Sequence, residues 1–414
     1  MIPLYALAAV FQASAASGSS MLAPFFMKEH GYSLALVGIP MVINGLGRIS
    51  SDLLSGLLAT FMSSGVLLIA AAVLALTVSL LGIIFHEVMP MFLGIWAVLG
   101  LTEAMFGLSI RKMMFDHASP AQQGRAQGQV AAALGIGFSI GPLLGGWVGA
   151  RWGADALFIV YALPQALALA LILVAGGHKM GKPAAVERAD VLREGRELFR
   201  RPSFLAACLA IFQTFLFLVG VTRVAFPFLA VTRRGLALNV VGTIVGLSRL
   251  ADTLGRFFGG RLSDVLGTRR VILVGVLLTV PMFLFLVYGT GFLTFLIPLS
   301  FMTLGFGLTN VGGVTCALQT AGSAAKGVGL GLARASNSSG SMLGPLLAGV
   351  LIQQFDYEGG FFAMALISLA IFLVVWTAFR RDNKNNAQSS YIKHGVCTPW
   401  STKGKSYRFS PPVE

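Results

Sequence analysis

The stretch GQVAAALGIGFSIGPLLGGWVGA, Gly128 to Ala150, holds seven glycines and one proline and carries no charge. Glycine and proline are the two poorest helix formers in water. In lipid the balance differs, because backbone groups must bond within their own segment and a helix of about twenty apolar residues spans the hydrocarbon. A second stretch, GLARASNSSGSMLGPLLAGV, runs from Gly331 to Val350. Gly128, Gly137, Gly141, Pro142 and Gly146 recur there as Gly331, Gly340, Gly344, Pro345 and Gly349, each 203 positions later. The chain therefore contains an internal repeat of membrane-helix character.

Composition agrees. Of 414 residues, 56% are hydrophobic and 11% charged, against roughly 25% charged in a soluble domain. So few charges could not cover a water-facing surface, and the lipid bilayer is the expected surrounding. The net charge of +14 reads as loop charge in a membrane protein, with no nucleic-acid partner. Cys208, Cys316 and Cys397 show neither metal nor disulfide spacing, and the five histidines are dispersed. No phosphate loop, nucleophile elbow or catalytic carboxylate pair is present, so the chain is not expected to be an enzyme and calls for no cofactor or metal. The first apolar run lacks a basic leader segment and reads as a spanning helix.

Twelve spans are expected. Six fall near residues 2–26, 34–60, 65–86, 89–112, 127–150 and 155–176, and six near 203–231, 238–262, 270–290, 292–317, 328–353 and 359–379. Lys and Arg concentrate in the links around Lys112, Arg125, 179–201, Arg269, Arg270, Lys326 and Arg380–Arg381, while the opposite links hold only Lys28, Arg151, Arg233 and Arg234. That bias places the first set and both termini in the cytoplasm, in an inner-membrane protein. The domains read as a six-helix half over 1–176, a cytoplasmic linker over 177–202, a second half over 203–380 and a disordered cytoplasmic tail over 381–414. The fold class is all-α: twelve transmembrane helices in two pseudo-symmetric halves.

The halves match outside the opening stretch too. Gly38 and Gly56 return as Gly242 and Gly260, and Phe11–Gln12 returns as Phe212–Gln213. GGRLSDVLGTRR, Gly259 to Arg270, places Gly260, Asp264, Gly267, Arg269 and Arg270 in the pattern G-x-x-x-D-x-x-G-x-R-R. This resembles the loop motif after the second helix of each half in the major facilitator superfamily. GLGRISSDLLSG, Gly45 to Gly56, resembles the approach to the same motif, but Thr60 replaces the aspartate and the arginines are missing. The spacing of Gly128, Gly137, Gly141, Pro142, Gly145 and Gly146 resembles the fifth-helix motif of that superfamily's proton-driven drug antiporters. Independently of any name, Gly137, Gly141 and Gly145 fall on one helix face, where a neighbouring backbone can approach closely, and Pro142 permits a bend. Such a helix suits the seam between two rocking halves, or a tightly packed static contact. In the second copy, Ser336, Asn337, Ser338, Ser339 and Ser341 surround Gly340, Gly344 and Pro345, so the eleventh span is expected to border a polar cavity.

Charges inside spans are costly, about 2.5–3.5 kcal/mol at a helix centre, and invite a functional reading. Glu103 is the deepest acid and the leading candidate for proton coupling, with Arg111 as an alternative static partner. Arg48 and Asp52 lie four apart, and Asp252 and Arg256 occupy the equivalent places with signs exchanged. These pairs serve structure or gating, or Asp52 and Asp252 carry protons. Arg223 has no acid nearby in sequence and could attract an anionic substrate or snorkel outward. Gln12, Gln213 and Asn310 could bond a ligand or a neighbouring helix. The expected function is alternating-access transport of a small molecule by a monomer. The primary expectation is proton-coupled export of an amphipathic, drug-like compound. The alternatives are transport of a small anion, metabolite or metal chelate, and a non-transporting receptor with the same fold.

Overall fold

A computed structural model describes residues 2–61, 63–116, 123–176, 198–321 and 326–394, with side chains over 3–51, 63–113, 129–176, 198–321 and 329–382. The linker expected over 177–202 lies mostly outside the described residues, as do 395–414 of the tail. The described residues form helices and no strands. They are α1 (Ile2–Glu29), α2 (Ile39–Phe61), α3 (Ser64–Phe85), α4 (Met89–Asp116), α5 (Gln123–Trp152) and α6 (Leu157–Val174). α7 begins as Pro202–Gly220 and continues to Arg233 through two π-helical turns, Val221–Ala225 and Leu229–Arg233. α8 (Leu238–Leu266), α9 (Thr268–Tyr288) and α10 (Phe292–Ala321) follow. The last run, Lys326–His394, is broken at Asp356, whose φ of 58° is non-helical, and is divided here into α11 (326–355) and α12 (357–394). α12 continues past Arg381 to His394, through residues that the sequence pattern assigns to an irregular tail.

Nine helical runs among the described residues are long and apolar enough to cross a membrane, and the undivided Gly329–Asp382 is one of them. α8 is not among them, and carries Arg249, Asp252 and Arg256 in mid-helix. Within the apolar windows, α1 is 78% and α7 72% buried, against 44% for α3, α5 and α9. The repeat-related α1 and α7 are therefore interior, whereas the others turn one side outward. Ile84, Leu163, Val174 and Tyr288 lie on that outer surface, as expected where lipid is the solvent.

Packing repeats along with the sequence. α1 packs on α5 and α7 on α11; α2 packs on α4 and α8 on α10. The glycines explain how. A Cβ on Gly137, Gly141 or Gly145 would come within 2.4 Å of the Val10 carbonyl oxygen, 1.9 Å of Ser17 Oγ or 2.5 Å of the Gly18 carbonyl oxygen. That face of α5 thus meets α1 of its own half, rather than forming the seam. In the second copy, Gly340 and Gly344 meet the carbonyl oxygens of Phe212 and Leu216 on α7 at 2.3 and 2.0 Å.

The seam is built by the neighbouring positions. A Cβ on Gly242 of α8 would lie 2.4 Å from the Pro142 carbonyl oxygen and 2.8 Å from Gly146 Cα. A Cβ on Gly38, at the start of α2, would lie 2.7 Å from the Pro345 carbonyl carbon and 2.6 Å from the Leu346 nitrogen. Gly38 and Gly242 are repeat equivalents, and so are Pro142 and Pro345. One contact is thus made twice, across α5–α8 and across α2–α11. Both crossings lie toward the end that carries links 30–38 and 234–237. At this same end Arg233 hydrogen-bonds Asp356 and holds its carboxyl below the usual carboxylate range, and Thr232 pairs with Tyr357 at 2.6 Å.

At the opposite end Gly267 adopts φ 85°, a conformation open to glycine but strained for other residues, and so lets α8 turn directly into α9. Arg269 then pairs with Asp382 of α12. Asp264 and Arg270 are exposed.

Because backbone atoms crowd Gly242, Gly242→Ala is expected to destabilise the protein by roughly 1–3 kcal/mol, the cost of overpacking. Gly94 has open space around it, so Gly94→Ala should be neutral. Thermal unfolding of the two variants in detergent measures the difference, and equal midpoints would contradict the packing account.

Candidate functional site

Gly47 and Gly100 bring α2 and α4 into backbone contact: a Cβ on either would stand 2.0 Å from the Ala97 or Asn44 carbonyl oxygen. This proximity sets the polar groups of α2 beside Glu103. The Asn44 side chain is within hydrogen-bonding reach of the Glu103 carboxyl, and the guanidinium groups of Arg48 and Arg223 act on it electrostatically. None of the three arginines Arg48, Arg223 and Arg334 has a carboxylate within 4 Å among the described residues. The carboxyl and its cations therefore share a space without closing into a contact pair.

That space is a cavity of about 140 Å³. It is lined by Arg48 of α2, by Glu103, Gly107 and Arg111 at successive turns of one face of α4, and by Arg334, Asn337 and Ser338 of α11. Among the described residues, three guanidinium groups and one carboxylate line this cavity. An apolar cavity of roughly 150 Å³ accommodates benzene, so the volume suits a cargo group of about one ring.

The cavity begins where the α2–α11 crossing ends. Leu34 meets Gly349, Gly38 meets Pro345 and Gly45 meets Met342; one turn further on, Arg48 faces Ser338 across open space. The polar eleventh helix expected from the sequence thus borders a cavity through Asn337 and Ser338.

A second, smaller cavity of about 30 Å³ lies between α1, α5, α7 and α8 and is lined by Ser17, Phe138, Pro142, Thr222, Arg223 and Arg249, among others. Arg223 belongs to both environments, because it lines this cavity and acts on Glu103 in the first. Its placement follows from the π-helical turn Val221–Ala225, a local widening of the helix often found at functional sites. Arg223 Nη1 lies 3.2 Å from Met41 Sδ on α2, so it reaches across the seam rather than snorkelling outward.

The remaining candidates divide. Gln12 is buried on α1, where it and Thr102 neighbour the Tyr161 hydroxyl without completing a hydrogen bond to it. Gln213 is buried and donates from Nε2 to Ser368 Oγ at 2.6 Å, which ties α7 to α12. Asn310 is buried on α10 and lines neither cavity. Asp252 accepts two hydrogen bonds from Arg256, at 3.0 and 3.1 Å, and sits 3.6 Å from Arg249. That pairing stays within α8. The Asp52 side chain lies outside the described residues. Phe25 stacks on Phe228 at 4.7 Å and Phe26 on Phe92 at 4.6 Å, so these rings serve packing. Among the described residues no cluster of three or more metal-ligating side chains occurs.

Sequence reasoning missed Arg334, Arg249, Asn44 and Tyr161. For two of them a signal was available: Arg334 stands three and four residues before Asn337 and Ser338, and Asn44 four before Arg48, on the same helix faces. Tyr161 had none.

An all-helical bundle of apolar spans, with paired repeats meeting around polar cavities, defines the class as a multi-pass membrane transporter. The profile of the Major Facilitator Superfamily matches residues 5–231 and 214–410, and the chain belongs to that family. It is 29% identical over 288 residues, 65% of its length and 69% of the relative's, to the uncharacterized MFS-type transporter YceJ of Bacillus subtilis (strain 168). It is 24% identical over 383 residues, 84% of its length and 90% of the relative's, to a multi-drug resistance efflux pump PmrA homolog of Lactococcus lactis subsp. lactis (strain IL1403). Its fold is similar to that of the nucleoside transporter NupG, with a TM-score of 0.73 at 14% identity over 91% of this chain and 98% of that one.

Removing one partner of a buried ion pair leaves an uncompensated charge and costs on the order of 3–5 kcal/mol. Asp252 sits between two arginines, so Asp252→Asn should lower the unfolding temperature strongly. Arg256 is 34% exposed, and Arg256→Gln should cost clearly less. Calorimetry on the purified variants orders the two, and the reverse order would contradict the assignment.

Proposed function

We propose that the chain is a secondary transporter that carries a small organic anion through the arginine-lined cavity by alternating access. The domains are read as two six-helix halves, 1–176 and 203–380, that rock about the paired crossings, joined by a linker over 177–202. A monomer suffices, since each half contributes residues to the cavity. The observation that supports this reading is the lining itself: among the described residues, Arg48, Arg111 and Arg334 share the cavity with one carboxylate, Glu103. Guanidinium groups bind carboxylates, sulfonates and phosphates by charge-assisted hydrogen bonds, and in a low-dielectric site a surplus of them favours an anion over a neutral or cationic molecule.

A second reading is proton-coupled export of an amphipathic, drug-like compound, with Glu103, Asp52 or Asp252 carrying the proton. It is supported by the α5 glycine pattern and by the efflux pump relative. In that case protons and cargo move in opposite directions across the inner membrane.

The two readings part in liposomes. Full-length protein is reconstituted and tested with radiolabelled benzenesulfonate, a one-ring anion that does not titrate, and with a lipophilic cation of similar size. The anion should be transported above the level of empty vesicles, and Arg48→Gln should reduce kcat/KM at least tenfold in a protein that still folds. Transport of the cation alone, abolished by Glu103→Gln, would establish the second reading instead.

A further inference from the structure

We infer that the small cavity between α1, α5, α7 and α8 is a binding site for one halide ion, held between the guanidinium groups of Arg223 and Arg249. The site is separate from the larger cavity and does not rest on the anion-carrying reading. The α5–α8 crossing leads to it. A Cβ on Gly242 would meet the Pro142 carbonyl oxygen, and one on Gly246 would lie 2.6 Å from the Ser139 carbonyl oxygen. The shift that carries Gly38 to Gly242 carries Gly45 to Arg249. Where Gly45 lets α2 close on Met342, α8 instead places an arginine, and a cavity of about 30 Å³ opens. Ser17, Phe138 and Pro142 line it from the first half, and Thr222, Arg223 and Arg249 from the second. Among the described residues no carboxylate lines it.

A guanidinium is a fork of N–H donors that keeps its charge in a protein. Among the described residues, the Arg223 side chain makes one hydrogen bond, to Met41 Sδ at 3.2 Å, and a thioether is a weak acceptor. The Arg249 side chain makes none among them. It stands over the Phe138 ring at 5.6 Å and 3.6 Å from Asp252 Oδ2, while both Asp252 oxygens accept from Arg256. Nearly all donors of the two groups therefore lack a protein acceptor among the described residues, and the two cations act on each other electrostatically. The Ser17 and Thr222 hydroxyls add no counter-charge, since they donate to the Ala13 and Leu218 carbonyl oxygens. Water in the cavity would satisfy donors and leave the repulsion in place. An anion between the two forks replaces that repulsion with two attractions and accepts charge-assisted hydrogen bonds from both. Size then selects the anion. Roughly 10–15 Å³ holds one water, so about 30 Å³ holds one halide ion, which is little larger than a water, and excludes a tetrahedral oxyanion. Because both halves line the site, the bound ion fastens them in this arrangement.

The test measures equilibrium binding of radiolabelled chloride to the purified full chain in detergent, in a gluconate medium of constant ionic strength. Wild type should bind close to one chloride per chain, displaced by bromide and not by sulfate. Its unfolding midpoint should rise with chloride concentration, as for any ligand that binds the folded state. Arg249→Gln should weaken chloride binding by about tenfold or more, the loss expected for one hydrogen bond to a charged group. Val245→Leu keeps both arginines and adds one methylene to the cavity wall, so it should weaken binding by filling the space. An absence of saturable chloride binding by wild type would mean that the cavity holds water only, and would overturn the inference. Binding unchanged in both variants, or displacement by sulfate as readily as by bromide, would overturn it too. The wild-type count requires no variant, so a poorly folding mutant does not block the result. Carriage of benzenesulfonate through the larger cavity is measured separately, so the two readings fail separately.

Discussion

The structure depends on backbone meeting backbone at two repeat-related crossings. Gly242 lies against Pro142 and Gly146, and Gly38 lies against Pro345 and Leu346, at distances that leave no room for a Cβ. Without a hydrophobic driving force between helices in lipid, this close approach is what van der Waals contact can use. It also fixes where polar chemistry can begin. Along α2 the approach persists as far as Gly45 against Met342, and the first large polar side chain beyond it, Arg48, opens the cavity. Proline in this position is tolerable because the carbonyl oxygens and neighbouring helices around it stay within the bundle.

Electrostatics then decides what the cavity is for. Within the hydrocarbon, an arginine without a partner is expensive, and such residues pair or mark a path for charge. On α8 the expense is met inside the helix, where Asp252 bonds Arg256 and neighbours Arg249. On the α2, α4 and α11 side, among the described residues, Glu103 is the one carboxylate that lines the cavity with Arg48, Arg111 and Arg334. In the second half the charges close into a pair within α8, and in the first half Arg48 lines an open volume. Arg223, delivered by a π-helical turn on the interior helix α7, connects the two sides.

Much of this was legible in the sequence. The 203-residue recurrence of Gly137, Gly141 and Pro142 predicts that two helices will be packed alike, and they are. Glu103 and Arg48 stood out because charge in an apolar span is conspicuous, and the serines and asparagine after Arg334 signalled a cavity-bordering helix. What the sequence hid is which helices become neighbours. Spacing shows that Gly137, Gly141 and Gly145 share a face, but not that α1 lies against it. It shows that Gln213 is polar, but not that Ser368, far along the chain, receives its hydrogen bond. Arg249 escaped notice because its significance lies in the company of Phe138 and Arg223, which only packing supplies. The first-half loop lacks the acidic and basic residues of its second-half counterpart, and its side chains lie beyond those described.

The proposed function is carriage of a small organic anion through an arginine-lined cavity. The most direct measurement is equilibrium binding of labelled benzenesulfonate to the purified full chain, beside a lipophilic cation of similar size. Saturable binding of the anion, and none of the cation, is the predicted result. Saturable binding of the cation with none of the anion would contradict it.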